Sequence, residues 1–293
     1  MTLCRFWSPN PPRRGEAEQV CVGLLLDETT VLDLTPAGWP LLGGLLELDD
    51  LVPQLEVLSK QRDLPRYALA DLALLTPVES QEVWAAGVTY LRSKKARMEE
   101  SDFSATAYDK VYEAERPELF FKSQPEKVVP SGDAVGIRHD SKWNVPEPEL
   151  ALVINSRGEV AGYTIGNDMS SRDIEGENLL YLPQAKIYER SCAVGPWITV
   201  GVSEDEARSW KIQIHIQRNE EIVFTGETSV GQIKRSFADL AEFLFRCQNF
   251  PQGAVLLTGT GVVPPDDFTL QPGDRVQITI SGIGTLENSV VEV

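Results

Sequence analysis

Glu147, Glu149 and Asp168 stand within WNVPEPELALVINSRGEVAGYTIGNDMSSRD, where their types and spacing suit a hard metal ion. The runs ELALVIN and EVAGYTIG read as β-strands, and Ser156-Arg157-Gly158-Glu159 between them has the chemistry of a hairpin turn. With Arg157 and Gly158 at the turn centre, Ser156 faces Glu159 and paired positions keep a constant sum. Counting back puts Glu147 opposite Asp168, with Glu149 diagonal to it. Glu147 and Glu149 are two residues apart and share a strand face. Three converging carboxylates repel one another unless positive charge sits among them. An all-oxygen donor set suits Mg²⁺, Mn²⁺ or Ca²⁺, and the lack of His or Cys in the hairpin disfavours zinc. The bland alternative is a solvated acidic strand face, common in an acidic chain. Pro146 and Pro148 bracket Glu147 and fix its backbone, which an idle surface strand rarely needs, and this favours the metal site.

Groups able to move protons or hold an anion lie nearby in sequence. On a helix beginning at Asp168, Arg172 and Glu175 follow one and two turns later on about the same face. Arg172 can clamp a carboxylate or salt-bridge its neighbours. Lys186 in PQAKIYERSCAVGP can serve as a base if a cation and a dry cleft lower its pKa, although a lone lysine is more often exposed. Glu118 in RPELFFKSQP is either an inward acid/base or a helix-end carboxylate. Gly259-Thr260-Gly261 can offer a hydroxyl and backbone N–H groups to an anion, or form an ordinary strand-end turn. No G-x-S-x-G, H-E-x-x-H, Walker A or G-x-G-x-x-G motif occurs, and two histidines, His139 and His215, nearly exclude a His-based triad.

The elements that position these groups belong to an α+β chain. Residues 1–75 mix short β-like runs, Val20 to Leu26 and Val31 to Leu34, with a helical leucine pattern from Leu45 to Leu58 interrupted by Pro53. They read as a small N-terminal α+β module. From residue 76 to 293 the texture is of many short strands, with helices expected at Met169 to Asn178 and Ile233 to Cys247 and a polar helical stretch from Lys94 to Glu115. His215 alternates within KIQIHIQR and reads as a strand-face residue. The 293 residues carry 27 Lys and Arg against 44 Asp and Glu, a net charge of −17. Such a field repels phosphate backbones and anionic lipid surfaces, so a small-molecule partner is expected. Four cysteines without C-x-x-C spacing point to free thiols in a reducing compartment, and no leader-like start or bilayer-length apolar run occurs, so a cytoplasmic location is expected.

Taken together, EPELALVIN, GYTIGNDMSSRD, AKIYERSCAVGPWI, LLTGTG and PGDRVQITISGIGTLENS resemble the fumarylacetoacetate hydrolase superfamily from about Val83 to the C-terminus. The resemblance implies a mixed β-roll catalytic domain, assembled as a homodimer or homotetramer, with Mg²⁺ or Mn²⁺ on Glu147, Glu149 and Asp168. Its lysine falls on Lys186, its helix arginine on Arg172 and its substrate-binding threonine on Thr260. The C–C hydrolases of that family carry a G-x-N-Y-x-x-H-x-x-E lid. Here the segment reads GVTYLRSKKA, with Ser93 and Ala96 in place of the His–Glu pair, and SSRDIE puts Glu175 where S-A-R-D-L-Q has its glutamine. Those departures argue against hydrolysis. EVWAAGVTY, KVYEAERPELFFKSQP, ENLLYLPQAKIY and GTGVVP are similar to the sugar-acid dehydratase branch, which implies dehydration of 2-keto-3-deoxy-D-arabinonate to 2,5-dioxopentanoate. Lys186, Glu118 and Glu175 are then the expected catalytic groups, and Arg172, Thr260 and Phe120 the substrate contacts. The rivals are an acylpyruvate- or fumarylpyruvate-type hydrolase, a 2-oxoacid decarboxylase, and a binding protein that keeps the metal cleft without turnover.

Overall fold

A computed structural model describes residues 1–9, 19–90 and 110–293. Short β-branched and apolar runs punctuated by Gly, Pro and Asn favour strands, and strands dominate. They are β1 (Thr2–Trp7), β2 (Val20–Leu25), β3 (Thr30–Asp33), β4 (Arg66–Ala68), β5 (Leu74–Leu75), β6 (Glu82–Gly87), β7 (Glu118–Ser123), β8 (Ala134–Ile137) and β9 (Asn144–Val145). Then follow β10 (Pro148–Ile154), β11 (Val160–Asp168), β12 (Ser170–Ser171), β13 (Cys192–Thr199), β14 (Lys211–Arg218), β15 (Glu221–Ser229), β16 (Ala254–Leu257), β17 (Arg275–Ile280) and β18 (Gly284–Glu292). The helices are short: α1 (Leu42–Leu46), α2 (Leu51–Ser59), α3 (Arg172–Glu177), α4 (Leu182–Lys186), α5 (Glu204–Arg208) and α6 (Phe237–Phe245).

Eleven strands form one sheet in the order β4-β3-β2-β1-β13-β11-β10-β16-β6-β7, with β5 on β1. Five more form a second sheet, β15-β14-β17-β18-β8, and β9 with β12 makes a small ribbon. In β14 the isoleucines 212, 214 and 216 are buried while Lys211, Gln213 and His215 face solvent, the period of a half-buried strand. β10 is buried at every position because β11 and β16 flank it and both its faces are covered. Leu150, Leu152 and Ile165 of the large sheet share a core with Ile212, Ile214 and Ile278 of the second sheet and with Phe237, Leu240 and Leu244 of α6. The Ser236 Oγ caps α6 by accepting from the Asp239 N–H at 3.0 Å.

Strands β1 to β5 extend the large sheet: Thr2 and Leu3 of β1 pair with Thr199 and Ile198 of β13. Leu42, Leu45, Leu51, Leu55 and Leu58 of α1 and α2 pack on Leu3, Val22 and Leu32 in a cluster closed by Val153, Ile198 and Val200. The break in the leucine pattern falls at residues 47–50 and not at Pro53, which lies in the first turn of α2, where a missing N–H costs no helix bond.

The β10–β11 hairpin keeps the expected register at one end and departs from it at the other. Pro148 pairs with Asn167, Glu149 with Gly166, and the Asp168 N–H donates to the Glu147 carbonyl at 3.0 Å. At the turn, however, the Asn155 N–H donates to the Glu159 carbonyl at 2.9 Å, so Ser156, Arg157 and Gly158 span it, with Gly158 at φ 82°. A bulge at Ala161, where Gly162 pairs with Val153 but Val160 with Ile154, absorbs the residue of difference. The two departures cancel, and the acidic end stays in register.

The first expected helix starts later than Met169. Asp168 closes β11, and Ser170 and Ser171 pair with Val145 and Asn144, so helix α3 begins only at Arg172. The second contracts to Phe237–Phe245, because Ile233 is extended and Cys247 has φ 69°. Of the stretch expected from Lys94 to Glu115, residues 94–109 lie outside the described residues, as do Ser93 and Ala96; residues 110–113 are helical.

Candidate active site

Register and chain reversal bring the acidic groups together. Glu147 precedes β10, Glu149 is its second residue, and Asp168 is the last residue of β11. All three are buried, and one carboxylate oxygen from each lies within 4.8 Å of the others. Burial, then the charges of Asp168 and Glu147, push the Glu149 carboxyl well above the usual carboxylate range; Lys186 and the Gly259 N–H pull the other way.

Lys186 closes helix α4 with 0% of its surface exposed, so its aliphatic stem and ammonium are both interior. Its Nζ donates to Glu147 Oε2 at 2.6 Å, to Asp168 Oδ2 at 3.1 Å and to Ser170 Oγ. The surface-lysine alternative is therefore excluded. Its ammonium also lies 5.9 Å from the centre of the Phe120 ring. Arg172, at the start of α3, places Nη1 3.5 Å from Glu147 Oε1 and Nε 3.9 Å from Glu175 Oε2, and its guanidinium lies 5.4 Å from the Trp143 ring centre. The helix face expected to join Arg172 and Glu175 is thus present, and Arg172 spans from the acidic cluster to Glu175.

Glu118 opens β7 opposite Gly87, so it is a strand residue and not a helix-end carboxylate. Its carboxylate packs against Gly87, where a side chain would collide with it. Glu118 and Glu175 line one cavity of about 320 Å³, with Val111, Leu179 and Leu182 as its apolar wall. A neighbouring pocket is lined by Glu147, Glu149, Asp168, Arg172, Phe120 and Thr260. Every expected site residue except Lys186 lines one of these two pockets, and Lys186 is bonded to Glu147 and Asp168 of the second.

The Gly259-Thr260-Gly261 turn departs in detail from the anion-binding expectation. The Gly259 N–H donates to Glu149 Oε2 at 2.6 Å, and Gly259 holds φ 89° where an added Cβ would strike Thr89. The Thr260 hydroxyl donates to the Val262 carbonyl at 3.1 Å and faces the pocket beside the acidic cluster. The turn fixes a carboxylate before it can serve a ligand.

Two site residues escaped sequence reasoning. Lys122 is fully buried and ion-paired with Asp168 Oδ1, and Ser170 accepts from Lys186. Glu118 and Phe120 alternate on β7 toward the site, and continuing that period two residues further would have marked Lys122.

The donor set fits a divalent ion. Among the described residues five carboxyl groups (Glu118, Glu147, Glu149, Asp168, Glu175) meet four cationic side chains (Arg116, Lys122, Arg172, Lys186), one positive charge short of balance. Burial first, and then the charges of Asp168 and Glu147, raise the Glu149 carboxyl in the metal-free site. All-oxygen coordination is the preference of Mg²⁺.

The model of the fumarylacetoacetate (FAA) hydrolase C-terminal family matches residues 82–291. The chain belongs to the fumarylacetoacetate hydrolase family. It is 47% identical over 236 residues to a probable 2-keto-3-deoxyxylonate dehydratase of Haloferax volcanii, covering 80% of this chain and 81% of that one. It is 41% identical over 226 residues to the 2-dehydro-3-deoxy-D-arabinonate dehydratase of Saccharolobus solfataricus, covering 76% of each. A solved 2-keto-3-deoxy-D-arabinonate dehydratase complexed with magnesium and 2,5-dioxopentanoate superposes with a TM-score of 0.77 at 33% identity, over 100% of this chain and 99% of that one. Its mixed, sheet-dominated fold is that of these relatives. No helix among the described residues is long and apolar enough to cross a membrane.

Proposed function

We propose that this protein is a Mg²⁺-dependent hydro-lyase that dehydrates 2-keto-3-deoxy-D-arabinonate to 2,5-dioxopentanoate. The observation that carries the reading is the fully buried Lys186, bonded to the carboxylates best placed to hold a metal. Dehydratase relatives at 47% and 41% identity support it.

Glu147, Glu149 and Asp168 would hold the ion. When bound, Mg²⁺ supplies Lewis-acid polarisation to the 2-oxo carboxylate and so acidifies the C3–H bond. Lys186 shares acceptors with the cation and loses the reason to stay protonated when they are occupied, which frees its amine to take a C3 proton. The C3–H electron pair forms the C3–C4 double bond as the C4 hydroxyl leaves, and Glu118 or Glu175 gives that hydroxyl a proton so that it departs as water. A proton then passes from C5 to C3, and the resulting enol gives its proton to C4 to become the 5-aldehyde. Arg172, Thr260 and Phe120 would orient the substrate.

The reading includes an N-terminal module of residues 1–75 and a β-roll catalytic unit of residues 76–293, the leucines of α1 and α2 packing across that boundary on Val153, Ile198 and Val200. It includes a homodimer or homotetramer in the cytoplasm, for which exposed Ile222 and Val223 on the sheet-edge strand β15 and four free cysteines are the support.

Proton NMR of the protein with Mg²⁺ and 2-keto-3-deoxy-D-arabinonate tests the activity. The C4 carbinol signal is expected to give way to an aldehyde or its hydrate, and Lys186→Ala to lower kcat at least about 10³-fold while still binding Mn²⁺. No aldehyde from the wild-type protein, or unchanged kcat in Lys186→Ala, would sink it.

A further inference from the structure

Lys122 has no surface exposed and belongs to none of the proton-transfer steps above. It sits at a break in the ladder between β6 and β7: Ser123 pairs with Val83 and Phe121 with Trp84, leaving Lys122 without a residue opposite. Such a bulge leaves one residue of the strand out of the ladder, and bulges are over-represented beside active sites. Here the ammonium donates to the Met169 carbonyl at 3.0 Å and to the Lys186 carbonyl, and forms an ion pair with Asp168 Oδ1. An ammonium has three protons to give, and three acceptors surround this one.

Those acceptors have one thing in common. Asp168 has two oxygens; Lys122 takes Oδ1, while Oδ2 faces Lys186. Met169 is the residue after Asp168, and the Lys186 carbonyl is on the backbone of the catalytic lysine itself. One buried charge thus ties the last residue of β11 to the last residue of α4, with 17 residues (169 to 185) between them in the chain. We infer that Lys122 is the positioning residue of the site: it selects the Asp168 oxygen offered to the cation and sets the distance between that oxygen and the Lys186 amine. A fully buried ammonium held by two carbonyls and one carboxylate exchanges no proton with substrate.

The inference rests on the proposed activity only for its kinetic arm. The binding arm uses Mn²⁺ alone, titrated into the full-length protein and followed by the electron paramagnetic resonance of the free ion. Lys122→Met keeps the length of the side chain and removes the charge. Loss of an outer partner of a ligating carboxylate is expected to weaken Mn²⁺ binding about 10- to 100-fold. At saturating Mn²⁺, kcat should fall by a similar factor while KM changes less than about threefold, a split that a loss of stability alone does not produce. Lys122→Gln provides the same measurement should the Met variant not fold. Native circular dichroism with wild-type Mn²⁺ affinity and wild-type kcat in either variant overturns the assignment, and so does loss of the folded state in both, which makes the contact structural. A wild-type protein that binds Mn²⁺ but dehydrates nothing defeats the proposed activity and leaves the binding arm decisive for Lys122.

Discussion

Glu149 is where the chemistry of single residues is most exposed to test. Its carboxyl stands well above the ordinary carboxylate range, through burial first and then Asp168 and Glu147. A group raised in this way binds its proton more tightly in the folded, metal-free protein than in the unfolded chain. The stability it contributes is fully present below the unfolded value of about 4.3 and is lost as pH rises through the folded value. The metal-free protein should therefore melt at a lower temperature as pH climbs through that window. A divalent ion must displace the same proton, so its affinity should increase over the same interval. Calorimetric titration of Mg²⁺ in buffers of different ionisation enthalpy counts the protons released. Release is expected to fall by about one proton from the low end to the high end, the Lys186 proton being released throughout; pH-independent affinity across the window would contradict it.

At the scale of elements, the strand ends and the turn beside them hold the carboxylates in place. Gly259 follows β16 with a positive φ, and its N–H fixes Glu149 Oε2 at 2.6 Å. Gly259→Ala forces a Cβ toward Thr89 and the Ala86 carbonyl. The expected costs are about 1–3 kcal/mol of stability in urea denaturation and a weaker Mn²⁺ site; unchanged values for both would show the turn to be passive. The acidic end of the hairpin was legible in the sequence because strand pairing obeys a sum rule that two opposite local departures, at the turn and at Ala161, left intact. The start of α3 was not, because Ser170 and Ser171 take up a pairing with Val145 and Asn144, residues more than twenty positions away. The facing of Lys122 was legible in the alternation of β7, but its role was not. Its role depends on a bulge and on Asp168 and Lys186, neither of which is near it in sequence.

For the whole molecule, strands β1 to β5 are woven into the main sheet. β1 pairs with β13, whose other neighbour β11 carries Asp168, and Glu47 accepts from the Ser156 N–H at 2.7 Å at the turn of the catalytic hairpin. Removing residues 1–75 would bare β13 along one edge and open the cluster of Val153, Ile198 and Val200. A chain of residues 76–293 is therefore expected to aggregate or to lose its cooperative thermal transition in circular dichroism, and a truncated chain that melts like the whole protein would show the N-terminal part to be an appendage. The family itself was legible from strand and loop motifs spread over most of the chain, whereas this interlocking of the N-terminal strands with the catalytic sheet has no local signature.

The central claim is that Glu147, Glu149 and Asp168 share one divalent ion. Anomalous scattering from crystals grown with Mn²⁺ measures this directly. The account predicts a single strong peak in the pocket they line, about 2.1 Å from an oxygen of each residue, with Lys186 displaced from Glu147 Oε2 and Asp168 Oδ2. A pocket without a peak at saturating Mn²⁺, or a peak bound by other residues, would contradict it.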